Sequence, residues 1–313
     1  LKALVTGGAG FIGSNLAGLL LDEGHDVVVL DNISSGYEQN LFDHAEFIRG
    51  DVTSGDRVAS AMSGCDIVFH LAASVGNTRS IENPVRDSQV NVLGTLNVLE
   101  SAREHGIGRV VFSSSAGIFG ELKTLPIRED HPQDPDSPYG VSKLAAEKMC
   151  LVYNRLYDMS NVCLRYFNVY GMRQRFDAYG NVIPIFAERI LRTGEVVIFG
   201  DGEQTRDFVN VADVARANFL AGTSEGAAGV FNLGSGTRIA INDLAQAMAE
   251  LCEVMLHVVH EAPRPGDVRD SLASIDAAAE AFGFRPEVSL RDGLREYLNW
   301  LKTDPVTVGR WSS

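Results

Sequence analysis

The 313-residue chain carries 27 Lys and Arg against 41 Asp and Glu, a net charge of −14, with 45% hydrophobic and 8% aromatic residues. That is the composition of a globular protein long enough to bury most of the surface its unfolded chain exposes, which excludes a disulfide- or metal-stapled miniprotein. The acidic balance also excludes a broad basic face for nucleic acid or anionic membrane, so a phosphate-bearing ligand has to be held by a few local arginines.

Short β-branched runs alternate with helical-period segments through the first half. Strands are predicted at 3–5, 27–30, 47–48, 67–70, 110–113 and 162–165, with helices over 11–23, 56–62, 85–105 and 139–157 between them. Repeated βα units predict an α/β fold, a doubly wound parallel sheet covered by helices on both faces. From about Phe167 the rhythm changes to a loop, a helix near 184–192 and the turn Gly200-Asp201-Gly202, the mark of a second, smaller α/β lobe. Strands at 208–211 and 230–233 suggest that the chain returns to the first lobe before a helix over 241–251. The expected division is therefore 1–167, completed near 206–235, and a ligand lobe made of 168–205 and 236–313.

Cys65, Cys150, Cys163 and Cys252 form no CxxC or Cys/His cluster and read as buried free thiols of a reducing compartment, with no metal site. No apolar run approaches the roughly 18 residues of a membrane span. No signal-peptide architecture precedes the first strand, and a cytoplasmic location is expected.

The first strand runs into Gly7-Gly8-Ala9-Gly10-Phe11-Ile12-Gly13, where Gly8, Gly10 and Gly13 satisfy G-x-G-x-x-G at a strand-to-helix turn. Glycine there lets backbone approach a pyrophosphate, and the helix start offers unpaired N–H groups. The second strand ends at Asp31, eighteen residues past Gly13, where a carboxylate accepts from both ribose hydroxyls and repels a 2′-phosphate. This favours NAD over NADP. Asp51-Val52, after the third strand, either meets the adenine or caps the strand end.

Tyr139 and Lys143 lie four residues apart on a predicted helix and share one face. An ammonium beside a phenol lowers the phenol's pKa, which makes Tyr139 a candidate proton-transfer group. Ser113-Ser114-Ser115 ends the fifth strand on the edge where open α/β sheets place ligands. His70, alone at a strand end, reads as a packed or hydrogen-bonded histidine.

Thr6 to Gly13, His70-Leu71-Ala72-Ala73, Asn91, the three serines, Tyr139 with Lys143, the run Leu164 to Gly171, Gly200-Asp201-Gly202, Arg206-Asp207 and Arg264 to Asp267 together resemble one family. It is the extended short-chain dehydrogenase/reductases, and within them the nucleotide-sugar 4-epimerases of the UDP-galactose 4-epimerase type. The likeness covers nearly the whole chain. It implies a Rossmann domain holding NAD tightly, a C-terminal nucleotide-sugar domain, and a homodimer paired through helices 85–105 and 139–157 as a four-helix bundle.

The resemblance implies that NAD lies against Gly7, Gly10, Phe11, Ile12 and Gly13, against Asp31, Asn32, Asp51 and Val52, and against Leu71, Ala72, Ala73, Asn91 and Ser113. Tyr139 and Lys143 would complete that surface, with Lys143 on the nicotinamide ribose. Tyr139 takes the sugar 4-OH proton while C4 passes hydride to the nicotinamide. The 4-keto sugar then turns over and takes the hydride back from bound NADH on its other face. Ser115 would hold the 4-oxygen, Asn168, Arg206 and Arg264 the diphosphate, and Asp267 the uridine ribose.

Two departures bear on the reaction. Related 4,6-dehydratases follow the serine with an Asp-Glu pair, whereas this chain has Ala116-Gly117, which cannot exchange protons. Members restricted to UDP-glucose and UDP-galactose carry a bulky Tyr four residues beyond the Asp of Arg-Pro-Gly-Asp. Here that position is Ser271, as in the subgroup accepting UDP-GlcNAc and UDP-GalNAc. The expected function is a UDP-hexose 4-epimerase that also accepts N-acetylhexosamines. A UDP-glucuronate 4-epimerase or decarboxylase, with Arg79 or Arg173 as carboxylate clamp, and a non-catalytic NAD-binding regulator stay open as alternatives.

Overall fold

The computed structural model describes residues 1–176, 181–263 and 268–311. In the first half the elements are β1 (Lys2–Thr6), α1 (Phe11–Asp22), β2 (Asp26–Asp31), β3 (Glu46–Arg49), α2 (Gly55–Met62), β4 (Ile67–His70), α3 (Asn77–Glu82), α4 (Pro84–Ser88), α5 (Gly94–Glu104), β5 (Val110–Ser115), α6 (Pro138–Tyr157) and β6 (Val162–Tyr166). The second half adds β7 (Asn168–Tyr170), α7 (Val182–Thr193), β8 (Glu195–Phe199), β9 (Thr205–Arg206), β10 (Phe208–Asn210), α8 (Val211–Thr223), β11 (Gly229–Leu233), β12 (Ile239–Ala240), α9 (Ile241–Cys252), β13 (His257–Glu261), α10 (Asp276–Phe282), α11 (Leu290–Leu301) and α12 (Pro305–Trp311).

Seven strands form one parallel sheet in the order β11-β6-β5-β4-β1-β2-β3. Because strand side chains alternate, Ala3 and Val5 pack with α1 and α8 on one face, while Leu4 packs with α2, α5 and α6 on the other. Burial on both faces is why these strands read as continuous apolar runs. The order reverses beside β1, with β2 and β3 on one side and β4 to β6 on the other. That switch opens a crevice beyond the strands' carboxyl ends.

The expected single helix over 85–105 is present as one continuous helical run, Pro84 to Glu104, with one departure from regular winding. Between α4 and α5, residues Gln89–Leu93 form a π turn, whose wider winding carries Asn91 inward. The smaller lobe has its own core, in which Ile183, Phe186, Ile198, Leu244, Met248 and Tyr297 are buried together. The strand expected to return at 208–211 pairs with β7 instead of the main sheet. Alternation then sends Phe208 into the smaller core and Val209 into the larger one, so this short strand fastens the two lobes. The return itself is made by α8 and by β11, which pairs with β6.

One polar group ties α6 to the sheet. Arg165 reaches both oxygens of Glu147, at 2.9 and 2.7 Å, and Ser114 donates to the same carboxylate at 2.7 Å. All three residues are buried, and the bidentate fork meets the charge-pairing that burial demands.

Candidate active site

The crevice is a cleft of about 1380 Å³, above the range of about 300–1,000 Å³ usual for single small-molecule sites. Its floor is the β1–α1 turn. Gly7 has φ of +73°, and a Cβ there would stand 2.7 Å from the Ala72 nitrogen. A Cβ on Gly13 would stand 2.2 Å from the Gly7 oxygen, so only glycine lets α1 start this close to β1. Gly10 is the N-cap of α1 and makes no side-chain cap, and the first turn carries no acidic residue. The helix start is therefore uncapped by any side chain of its own.

At the end of β2 the Asp31 carboxylate accepts the Ala9 N–H at 3.0 Å and the Ile33 N–H at 2.8 Å. Two fixed donors aim it and leave lone pairs for a diol. Asp51, at the end of β3, lines the same cleft. Its carboxylate takes the Thr53 N–H and hydroxyl (2.9 and 2.8 Å), Asn32 (2.8 Å) and Arg86 (2.7 Å), a full complement for four lone-pair sites. Burial opposes its ionisation, but these bonds outweigh burial and hold the carboxyl well below the usual range.

Leu71, Ala72 and Ala73 follow β4 and line the cleft, as does Val52. Behind them His70 bridges Thr6 (2.7 Å) and Thr95 (3.0 Å), and Thr6 in turn receives the Ala72 N–H at 3.2 Å. Burial, reinforced by Lys143, drives the His70 pKa down to about 3, so this ring is a neutral spacer. Asn91, expected at the cofactor, is buried beneath this wall. Its side chain accepts from the Ser74 N–H (2.8 Å) and donates to the Ser74 carbonyl (3.0 Å), Asp87 (3.1 Å) and Ser142 (3.0 Å).

The reactive end is built by β5 and α6. Strand alternation puts Ser113 and Ser115 on one face and turns Ser114 away to Glu147. Helix α6 starts at Pro138 behind the Ser137 cap, which accepts the Gly140 N–H at 3.1 Å. A Cβ on Gly140 would lie 2.4 Å from the Gly117 oxygen; its absence lets the first turn press Tyr139 against Ser115. Sequence reasoning passed over Gly140, although a glycine just after the tyrosine was its visible sign.

Ser115 Oγ accepts the Gly117 N–H at 3.1 Å, and its side chain favours the ionised form of the Tyr139 phenol through a hydrogen bond. Lys143, buried, donates to the Ser113 carbonyl at 2.7 Å and sits 4.8 Å above the Phe112 ring. The expectation of a lowered phenol pKa is reversed in the protein's own field. Burial pushes Tyr139 up to about 12 with Asp87 adding to the rise, and the Ser115 hydrogen bond only partly offsets them. Burial likewise lowers Lys143 to about 8, against the opposing pull of Asp87 and Cys150. The lysine's ammonium is spent on a carbonyl, so it does not act on the phenol alone.

The smaller lobe supplies the far wall. Asn168, Arg206 and Ser271 line the same cleft as the glycine turn. The Asn168 amide donates to the Asp207 carbonyl at 3.0 Å, Arg206 donates to the Thr205 carbonyl at 2.8 Å, and the Ser271 N–H meets the Thr205 oxygen at 3.2 Å. Buried Asp207 holds this wall together by accepting from Ser235, Gly236 and Ala273. Arg264 and Asp267 lie outside the described residues. Arg173 and Arg175, from the loop after β7, also line the cleft; Arg173 donates to the Ser14 carbonyl at 2.9 Å and Arg175 forks onto Asp304.

A glycine-floored crevice at the switch point of a parallel sheet, closed by a Ser-Tyr-Lys group, defines a Rossmann-type dinucleotide enzyme. The model of the NAD dependent epimerase/dehydratase family matches residues 3–234, and the chain belongs to that family. NAD is its cofactor, and the glycine turn and Asp31 fit one. The chain is 40% identical to the putative UDP-glucose 4-epimerase of Methanocaldococcus jannaschii, over 97% of this chain and 99% of that one. It resembles the crystal structure of UDP-glucose 4-epimerase with UDP-glucose from Thermotoga maritima, with TM-score 0.93, 38% identity, and 97% and 99% of the two chains covered. It is equally similar in fold to UDP-N-acetylglucosamine 4-epimerase from Methanobrevibacter ruminantium in complex with UDP-N-acetylmuramic acid, with TM-score 0.93, 35% identity, and 96% and 98% covered.

Proposed function

We propose that this protein is an NAD-dependent UDP-hexose 4-epimerase that interconverts UDP-glucose and UDP-galactose and accepts UDP-GlcNAc and UDP-GalNAc. The observation that carries the reading is the Ser115–Tyr139–Lys143 group facing an Ala116-Gly117 turn that holds no acid or base. Proton exchange is thus available at one sugar oxygen and not at the neighbouring carbon that dehydration needs.

When bound, NAD supplies a two-electron acceptor for the sugar C4 and a positive charge in the cleft. Gly7, Gly10, Phe11, Ile12 and Gly13 would cradle its pyrophosphate, Asp31 and Asn32 its adenosine ribose, and Val52 with Leu71, Ala72 and Ala73 its adenine side. Tyr139 Oη takes the proton of the 4-OH and returns it, and Ser115 Oγ would steady the 4-oxygen when substrate is bound. Lys143, anchored on Ser113, adds positive charge that favours the phenolate. Asn168 and Arg206, with Arg264, would hold the diphosphate, Asp267 the uridine ribose, and Ser271 leaves room for a 2-acetamido group.

Two lobes with separate cores support the division into an NAD domain (1–167, completed near 206–235) and a nucleotide-sugar domain (168–205 and 236–313). Exposed Val85, Leu93, Val141, Leu156 and Tyr157 on α4 to α6 suit burial against a second copy, as a homodimer. Among the described residues no helix is long and apolar enough to cross a membrane. Buried free Cys65, Cys150 and Cys163 support a reducing, cytoplasmic setting.

The test is product analysis by NMR after incubating the purified protein, without added NAD, with UDP-glucose, UDP-GlcNAc and UDP-glucuronate in turn. The reading expects 4-epimers of the first two and a loss of about 100- to 10,000-fold in Tyr139→Phe. Turnover of UDP-glucuronate alone, or a Tyr139→Phe rate within a few-fold of wild type, would overturn it.

A further inference from the structure

One buried carboxylate near the reactive end has no part in the chemistry described so far. Asp87, on α4, is 1% exposed, and among the described residues its carboxylate meets neutral donors, Ser142 at 2.5 Å on one oxygen and Asn91 at 3.1 Å on the other. Ser142 lies on α6 between Tyr139 and Lys143, and its hydroxyl also stands 3.0 Å from the Tyr139 carbonyl. Asp87 is thereby held against the first turns of the catalytic helix. Lys143 is its counterpart of opposite sign. It is 2% exposed and donates to the neutral Ser113 carbonyl at 2.7 Å.

An isolated buried charge is costly, and two of opposite sign lower each other's cost without touching, because the interior screens their field weakly. The other ionisable groups nearby are matched, uncharged or exposed. Glu147, one turn past Lys143, is forked by Arg165 of β6, and Arg86 turns away from Asp87 to Asp51. Glu100 of α5 is taken by Arg103 and Tyr153. His70 of β4 is neutral, Cys150 of α6 is a buried free thiol, and Arg79 and Glu82 of α3 are exposed. That leaves Asp87 as the uncompensated anion, and its field acts on both members of the pair, raising Lys143 against the pull of burial and adding to the rise of Tyr139. We propose that Asp87 is a positioning residue, the buried counter-charge of Lys143, which keeps that ammonium charged beside Tyr139 and so places the pH range in which the pair works. This rests on reading Ser115, Tyr139 and Lys143 as the proton-transfer group.

The test is the pH dependence of kcat for UDP-glucose epimerisation by the holoenzyme. Its acid limb reports Tyr139 giving up a proton, and its alkaline limb reports Lys143 losing one. Asp87→Asn keeps an acceptor for Ser142 and removes the charge, so both limbs should move toward acid by about one pH unit, the scale on which one buried charge acts on another. Asp87→Ser carries the same expectation if the amide packs poorly. Ser142→Ala, which removes the hydrogen bond and leaves the charge, should leave both limbs in place. A second readout is independent of turnover. In NMR of protein whose lysines carry a carbon isotope label at Cε, the Lys143 signal, identified by its loss in Lys143→Met, should titrate about one pH unit lower in Asp87→Asn than in wild type. A lower kcat on unmoved limbs, an unmoved lysine titration, or an equal shift in Ser142→Ala overturns the proposal. A wild type that turns over no UDP-hexose instead overturns the functional reading, and the lysine titration then still decides whether Asp87 holds the charge of Lys143.

Discussion

Removing the His70 ring tests whether the wall behind the cleft is held by a neutral, buried imidazole. The ring joins Thr6 to Thr95, and its pKa in the folded protein is about 3, against an ordinary value near 6.5. A proton that the unfolded chain binds and the folded chain refuses favours unfolding. The stabilising contribution is therefore complete above about pH 6.5 and is lost as the pH falls toward 3. At about pH 4.5 the loss is two units below the unfolded value, or about 3 kcal/mol. The assay is urea unfolding of wild type and His70→Asn at neutral pH and at about pH 4.5. The variant, lacking the ring's packing, should be the less stable at neutral pH, and the difference should shrink by about 3 kcal/mol in acid as wild type alone pays for His70. A difference independent of pH would refute the reasoning, because it would mean that the folded protein admits the proton.

Three further outcomes follow from particular contacts. Gly140→Ala places a methyl 2.4 Å from the Gly117 oxygen and should push Tyr139 off Ser115, lowering kcat by about 100-fold while bound NAD, measured by its release on denaturation, is retained. Ser271→Tyr should fill the far wall and cut kcat/KM for UDP-GlcNAc relative to UDP-glucose by about 100-fold, read from competing substrates by NMR. Arg165→Met strands the buried Glu147 charge and should cost about 3–5 kcal/mol in chemical unfolding, part of which Glu147→Gln in the same chain should restore.

The elements that the sequence determined are those whose cause is local. A β-branched run ending in glycines has few ways to turn, so the G-x-G-x-x-G floor, Asp31 at the end of the next strand, and Tyr139 one turn before Lys143 were legible directly. Family likeness added Ser115, Asn168, Arg206 and Ser271, and these line one cleft with the glycine floor although up to 264 positions separate Gly7 from Ser271. What tertiary structure alone decided depends on which groups meet across the sheet. Nothing within a few residues of Asp51 or Arg86 announces their pairing, and Asn91 turns inward because a π turn shifts its helix register. Tyr139 and Lys143 also show why spacing does not fix chemistry. Helical geometry put them on one face, but burial raised one pKa and lowered the other, and the lysine found a carbonyl partner on β5. Side-chain pattern is written along the chain; desolvation and partnership are properties of the packed volume.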